Sequence, residues 1–160
     1  MSGSGLQKFS AALLDLGLEY RVITLPGTTR SARDAASAIG CTQSRIVKSI
    51  IFKTLSSNTP VLALVSGSNT VCMEKLGEIH GEALGKADAD FVRNATGYAI
   101  GGVPPLGHGR MIDTYLDDDL FAHATVWAAA GDAHSVFEIE TGKLLAATLG
   151  TQAAIKNLSQ

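Results

Sequence analysis

The hydrophobic positions of this chain change period several times, and each change marks an element. Leu6, Phe9, Leu13 and Leu16 recur at helical spacing. With Ser4 ahead of them as a cap and Gly17 behind them as a stop, they predict an opening amphipathic helix. "YRVITL" then alternates as a strand does, "SARDAASAIG" returns to the helical period as far as Gly40, and "RIVKSIIFKTL" and "PVLALVSG" predict two strands joined by the turn "SSNT". Two more helices are expected in "EKLGEIHGEAL" and "ADADFVRNATG". Short strands follow in "YAI", "MIDTYL", "TVWAAAG" and "HSVFEIE", and helical pattern closes the chain in "TGKLLAATLG" and "TQAAIKNL". Helices set among hairpins predict a mixed α/β (α+β) fold and not a doubly wound parallel sheet.

Composition narrows this picture. At 160 residues the chain can bury roughly 70% of its unfolded surface, enough for one core, so one domain over residues 1–160 is expected. No repeat, linker or low-complexity stretch interrupts it. Hydrophobic residues make up 46% and charged residues 18%, which excludes the disordered class. No apolar run approaches a membrane span, and no basic residues precede the apolar part of the opening segment, so a secretory signal is not expected and the cytoplasm is. Cys41 and Cys72 lack CxxC spacing and are expected as reduced thiols, not as a disulfide or zinc site.

The net charge of −2 argues against indiscriminate coating of nucleic acid, and neither DNA nor a membrane is expected as a partner. Its distribution is more informative. Arg30, Arg33, Arg45, Lys48 and Lys53 stand against the single acid Asp34, while the stretch from Glu74 to Glu140 is acidic. The basic segment is either a phosphate-meeting surface or a solvated charged face.

Candidate chemistry centres on two places. Strand alternation puts Lys48 on the face of Ile46, Ile50 and Phe52, where an ammonium is poorly solvated; it either snorkels outward or lines a cleft. Ser49 falls on the opposite face, which disfavours a Ser-Lys hydrolase. The second place is the loop "GYAIGGVPPLGHGR". Its glycines let backbone approach a ligand, while Pro104 and Pro105 fix the path and remove two amide donors, so it is not a phosphate cradle. It serves either as a tight connection or as a source of carbonyls and a few glycine amides for a ligand's donors or a developing oxyanion. "GEALGKA" has the wrong spacing for a phosphate loop. His80, His108, His123 and His134 show no metal-ligand pairing, and Asp117, Asp118 and Asp119 fit a solvated turn better than an ion site. No metal and no cofactor is expected.

Taken together, Lys48 in "RIVKSIIFK", the strand "VLALVSG", the stretch "ATGYAIGGVPPLGHG", "MIDTYL" and "WAAAGDAHSVFEI" resemble the YbaK family, which is related to the editing domain inserted in bacterial prolyl-tRNA synthetases. The resemblance runs from about Thr28 to Leu149. It implies a curved, largely antiparallel β-sheet flanked by helices, and a freestanding aminoacyl-tRNA deacylase that hydrolyses the ester of a mischarged tRNA, such as a small amino acid on proline tRNA. It also implies aminoacyl-tRNA as partner, with an aminoacyl-tRNA synthetase as a possible second one. Lys48 matches the family's strand lysine, and Gly101 through Pro105 match its GxxxP signature. That carries Lys48, Gly101 and Gly102 over as catalytic candidates, and Val103, Pro104, Pro105, Gly107, His108, Arg30 and Arg45 as substrate-binding candidates. Leu106 stands where many relatives have Phe, and "HSVFEI" lacks an acid that some members carry on that strand; Asp132 lies in the preceding turn. The competing expectations are a binding module without turnover and a small-molecule esterase, which would not need the basic segment.

Overall fold

The computed structural model describes residues 4–26 and 31–158. Helix α1 (Gly5–Asp15) begins with a reciprocal cap: the Ser4 hydroxyl accepts from the Gln7 amide at 3.2 Å, and the Gln7 side chain accepts from the Ser4 amide at 2.9 Å. Its buried face carries Phe9 and Leu13. Strand β1 (Val22–Thr24) follows, then α2 (Ala32–Ile39), capped by Ser31 and ended by Gly40, and a short 3-10 turn at Gln43–Arg45. The long hairpin β2 (Val47–Thr54) and β3 (Pro60–Ser66) is the expected pair. After it come α3 (Met73–His80), β4 (Leu84–Lys86), α4 (Ala89–Thr96), β5 (Asp113–Asp117), β6 (Thr125–Ala129), β7 (Ser135–Glu140), α5 (Thr141–Thr148) and β8 (Thr151–Ala153).

The strands form two sheets, ordered β1-β7-β6 and β4-β2-β3-β5-β8. They meet at a parallel backbone bridge between Ile46 and Trp127. One apolar cluster fills the space between them, with Val47, Ile51, Leu62, Leu64 and Leu116 from the larger sheet, Val126, Ala128, Phe137 and Ile139 from the smaller, and Phe9 and Leu13 from α1. A second cluster, including Phe52, Val61, Ala63, Leu76 and Ile155, covers the other face of the larger sheet. Helix α2 packs Ala35 and Ala36 against Ile46 and Val136 at the junction.

The fold class agrees with the α+β expectation, while four details differ. The antiparallel content is divided between two sheets, and β3–β5 and β5–β8 are parallel. The helix expected in "EKLGEIHGEAL" stops at His80, where Gly81 takes φ +98°, and Leu84 begins a strand that pairs with β2. "YAI" is no strand: the Tyr98 amide donates to the Thr96 hydroxyl at 3.0 Å, which itself donates to the Val92 carbonyl at 2.7 Å, so the amide is satisfied without a ladder. "TQAAIKNL" is not a helix, because Thr151–Ala153 extends the sheet edge along β5 and Ile155 is buried beneath it. Edge pairing overrides the local period there.

Candidate active site

A pocket of about 400 Å³ opens where the two sheets meet. The start of β2, the middle of β6, the first turn of α2 and the Gly101–Val103 segment of the long loop between α4 and β5 form its wall. Lys48 and the distant loop residues Gly101 and Val103 line it together, and Arg33 and Asp132 stand with them.

Lys48 pairs with Val65 in the hairpin register, and its ammonium donates to the Asn69 carbonyl in the loop that follows β3. Burial lowers its pKa from the ordinary lysine value, and the nearby Asp117 carboxylate works in the opposite direction. Asp117 is not in a solvated turn. It is fully buried and accepts from the Ser66 amide at 3.1 Å, the Asn69 side-chain amide at 2.8 Å and the Asp119 amide at 3.0 Å. That network fixes the Asn69 loop, and the loop's carbonyl in turn holds the lysine. Asp119 belongs to the same network, accepting from the Asn69 side-chain amide at 2.8 Å and pairing with Lys156 at 2.7 Å.

The paired glycines are there for different reasons. Gly101 has φ +92°, and an added Cβ would meet nothing within 4 Å; conformation alone requires glycine there. At Gly102 the constraint is space, since a Cβ would lie 2.7 Å from the Asp132 Cα and 2.9 Å from the Gly131 carbonyl oxygen. The loop is thus seated directly on the β6–β7 turn. Gly102 was expected as an amide donor to the reaction, but its N–H is donated to the Ala99 carbonyl at 3.0 Å. Gly101 and Val103 are then the amide-bearing loop residues on the pocket wall.

The second half of the loop goes elsewhere. Leu106 is buried in the main core. His108 Nε2 donates to the Pro104 carbonyl at 2.7 Å, the Tyr98 hydroxyl donates to the Gly107 carbonyl at 3.1 Å, and the two rings meet edge-on. Pro105, Gly107 and His108 line a separate groove of about 370 Å³ together with Ala12 of α1 and Leu16 just beyond its end. The bonds of His108 and Tyr98 brace the loop from within. Pro104, itself buried, supplies the carbonyl that holds the histidine.

The basic segment does not form one face. Arg45 is committed to the sheet junction, donating to the Thr125 carbonyl at 3.1 Å and pairing with Glu138 at 2.9 Å. Lys53 lies over the Phe91 ring at 5.9 Å. Arg33 is exposed at the pocket, with no ion pair among the described residues. Arg30 lies outside the described residues. Among those residues no group of three His, Cys, Asp or Glu is placed to hold a metal ion, and no helix is long and apolar enough to cross a membrane.

Two wall residues escaped the reading of the sequence. Trp127 is half-buried beside Ile46, a position that strand alternation on "TVWAAAG" cannot distinguish from ordinary sheet packing. Ser49 does not share a strand face with Lys48, which disfavours it as that lysine's nucleophilic partner. It lines the pocket nonetheless, and its hydroxyl is buried without a hydrogen-bond partner.

Residues 27–147 match the family profile described as the aminoacyl-tRNA editing domain. The chain is 28% identical over 130 residues to "Putative Cys-tRNA(Pro)/Cys-tRNA(Cys) deacylase EbsC" of Enterococcus faecalis, covering 78% of this chain and 76% of that protein. It is 29% identical over 126 residues to the uncharacterized protein YwhH of Bacillus subtilis, covering 79% and 80% respectively. A crystal structure described as "a putative trans-editing enzyme for prolyl tRNA synthetase" is similar with TM-score 0.91 at 37% identity, covering 98% of this chain and 99% of that one.

Proposed function

Because the chain belongs to the aminoacyl-tRNA editing domain family, and with it to the deacylases of aminoacyl-tRNA, we propose that the junction pocket receives the ester end of a tRNA carrying a wrong, small amino acid. Proline tRNA is the carrier, and a prolyl-tRNA synthetase is the enzyme whose errors are corrected. The observation that carries this reading is the meeting of Lys48, Gly101, Val103 and Arg33 around one cavity of about 400 Å³. That volume lies within the usual range of small-ligand sites, and it suits an aminoacylated nucleoside while leaving the rest of the tRNA outside.

The reaction needs little from the protein besides position and charge. Water attacks the ester carbonyl carbon, the bond from that carbon to the ribose oxygen breaks, and the ribose oxygen leaves with a proton, giving free amino acid and tRNA. Among the described residues no base accepts a hydrogen bond from the Ser49 hydroxyl, so water and not a serine is the nucleophile. The family resemblance implies that the substrate's own neighbouring ribose hydroxyl assists. Negative charge developing on the carbonyl oxygen falls to the amides of Gly101 or Val103, because Gly102 has donated its own and the prolines have none. One such aimed donor is worth about 3 kcal/mol of transition-state stabilisation. Lys48 has three N–H donors, one of them held by Asn69, and the others serve the substrate. Arg33 meets a backbone phosphate at the rim.

A selective hydrolase is needed because an apolar pocket discriminates a single methylene by only about 1 to 3 kcal/mol. The test is single-turnover deacylation of proline tRNA charged with alanine, serine, cysteine or proline, in the presence of EDTA. At least one non-cognate ester is expected to be lost faster than it hydrolyses spontaneously, with the prolyl ester spared. A panel in which nothing exceeds the spontaneous rate would favour a binding module without turnover.

A further inference from the structure

We propose that Ser49 determines specificity: its hydroxyl reads a neutral hydrogen-bonding group, a hydroxyl or a thiol, on the side chain of the acyl moiety, so that esters bearing one are preferred to the alanyl ester. The proposal rests on the deacylase reading above and names the class of amino acid that the site selects. Among the described residues, Ser49 Oγ is the one buried side-chain nitrogen or oxygen with no hydrogen-bond partner. Alternation along β2 turns it toward the same side as Val47 and Ile51, both in the core between the sheets, and its register partner is the fully buried Leu64. Where it borders the pocket, its companions on the wall include Val47, Val103 and Ala128. The hydroxyl is thus a polar group on an otherwise apolar face of β2, between Val47 and Ile51 and opposite Leu64.

An unpaired buried hydroxyl destabilises a fold, and alanine or valine at position 49 would avoid that penalty. The flanking inward positions of the strand, Val47 and Ile51, are of that apolar kind. Position 49 departs from them, and because the fold offers its hydroxyl no partner, a group that enters the pocket can supply one. The chemistry of the wall then narrows the ligand. A charged α-ammonium set against these apolar side chains would lose more solvation than one hydroxyl returns. A methyl group would leave Ser49 still unpaired. A hydroxyl or thiol can both donate and accept, as Ser49 can, so each group satisfies the other. A pocket with only apolar walls cannot make this distinction, whereas one containing a hydrogen-bonding group rejects the analogue that leaves that group unpaired.

The experiment measures single-turnover rates on seryl-, cysteinyl- and alanyl-tRNA with the proline anticodon. In parallel it measures binding of 3′-amide-linked seryl- and alanyl-adenosine, which cannot be hydrolysed. Wild type is expected to favour the seryl or cysteinyl ester over the alanyl ester by about tenfold, and the seryl amide over the alanyl amide to a similar degree. The seryl and cysteinyl arms tell a hydroxyl from a thiol. Ser49→Ala should lose the preference in both assays without a fall in thermal midpoint, and Ser49→Thr, which keeps the hydroxyl, should retain it. Equal handling of all three esters by wild type, or a preference that survives in Ser49→Ala, would overturn the proposal. If no ester is cleaved but the amides show a Ser49-dependent preference, the deacylase reading falls and this inference stands.

Discussion

Lys48 and Arg45 lie three residues apart and were candidates for the same ligand, yet the molecule uses them differently. The guanidinium of Arg45 gives its Nε and Nη2 donors to Thr125 and Glu138 and ties the segment leading into β2 to the smaller sheet. The ammonium of Lys48 has one carbonyl partner and a place on the pocket wall. The same division runs through the glycine–proline loop, in which Gly101 and Val103 face the junction pocket while Pro105, Gly107 and His108 line a second groove and brace the loop. Residues whose hydrogen-bonding capacity is consumed inside the fold hold the site in place. Those with capacity left over are the ones that can act on a substrate.

The largest effect that would test this division is expected from Lys48→Ala. Its single-turnover deacylation should fall about 100-fold or more, while the thermal midpoint at neutral pH holds or rises, because burial disfavours the charged lysine in the folded state. With the folded pKa below the unfolded one, that penalty is present at neutral pH and is released as pH rises toward the ordinary value of 10.5. Wild type should therefore gain stability relative to the variant only in that alkaline range. A near-normal rate in Lys48→Ala would remove the distinction between the two cations.

Next come the two glycines. Gly102→Ala drives a Cβ into the backbone of the β6–β7 turn, so the loop must lift from its seat; a rate loss of at least about tenfold and a destabilisation of about 1–3 kcal/mol are expected. Gly101→Ala meets open space and suffers only from its positive φ, at about 1 kcal/mol. Urea denaturation and single-turnover rates on both variants check the order. If Gly101→Ala proved the more destabilising, the seating of the loop on Asp132 would not be what requires glycine at position 102.

A smaller contrast separates Arg33 from Arg45. Arg33→Gln should weaken tRNA binding and reduce the slope of log affinity against log salt by about one. Arg45→Gln should leave that slope unchanged and lower stability by about 1 kcal/mol through lost hydrogen bonds. Filter binding across a salt series, with a thermal melt of each variant, decides between them; a reduced slope in Arg45→Gln would move it to the binding side.

The smallest effect concerns His108. Burial holds its imidazole below the ordinary value of 6.5, although the bond to the Pro104 carbonyl acts the other way. Between 6.5 and the lower folded value the unfolded chain takes up a proton that the folded chain does not. Stability is thus expected to be full above about pH 6.5 and to decline below it, and His108→Gln should flatten that acid limb with little change in catalysis at neutral pH. Thermal midpoints of both proteins between pH 7.5 and pH 5 measure it, and parallel curves would show that His108 does not titrate differently on folding.

Local signals were sufficient for much of the architecture. The Ser4 cap, the glycine stop at Gly40, the β2–β3 hairpin and α2 all depend on neighbours within a few residues, which is the range over which periodicity and capping chemistry operate. Residue type also drew notice to Lys48 and the glycine–proline loop, since an ammonium on an apolar strand face and prolines beside paired glycines are locally unusual, and the family resemblance made Lys48 and the Gly101–Pro105 stretch site candidates.

What the chain alone could not reveal are the pairings closed over long separations. The parallel alignment of β3 with β5 and of β5 with β8, the bridge of Ile46 to Trp127, and the seating of Gly102 on Asp132 each join segments whose local patterns do not refer to one another. The same holds for the fate of individual polar groups: Arg45 lost its availability to Glu138, Gly102 gave its amide to Ala99, and Ser49 kept a hydroxyl without a partner. A side chain's type and spacing set which bonds it is able to make. Only the packed structure decides which of those bonds are already made and which are left for a substrate.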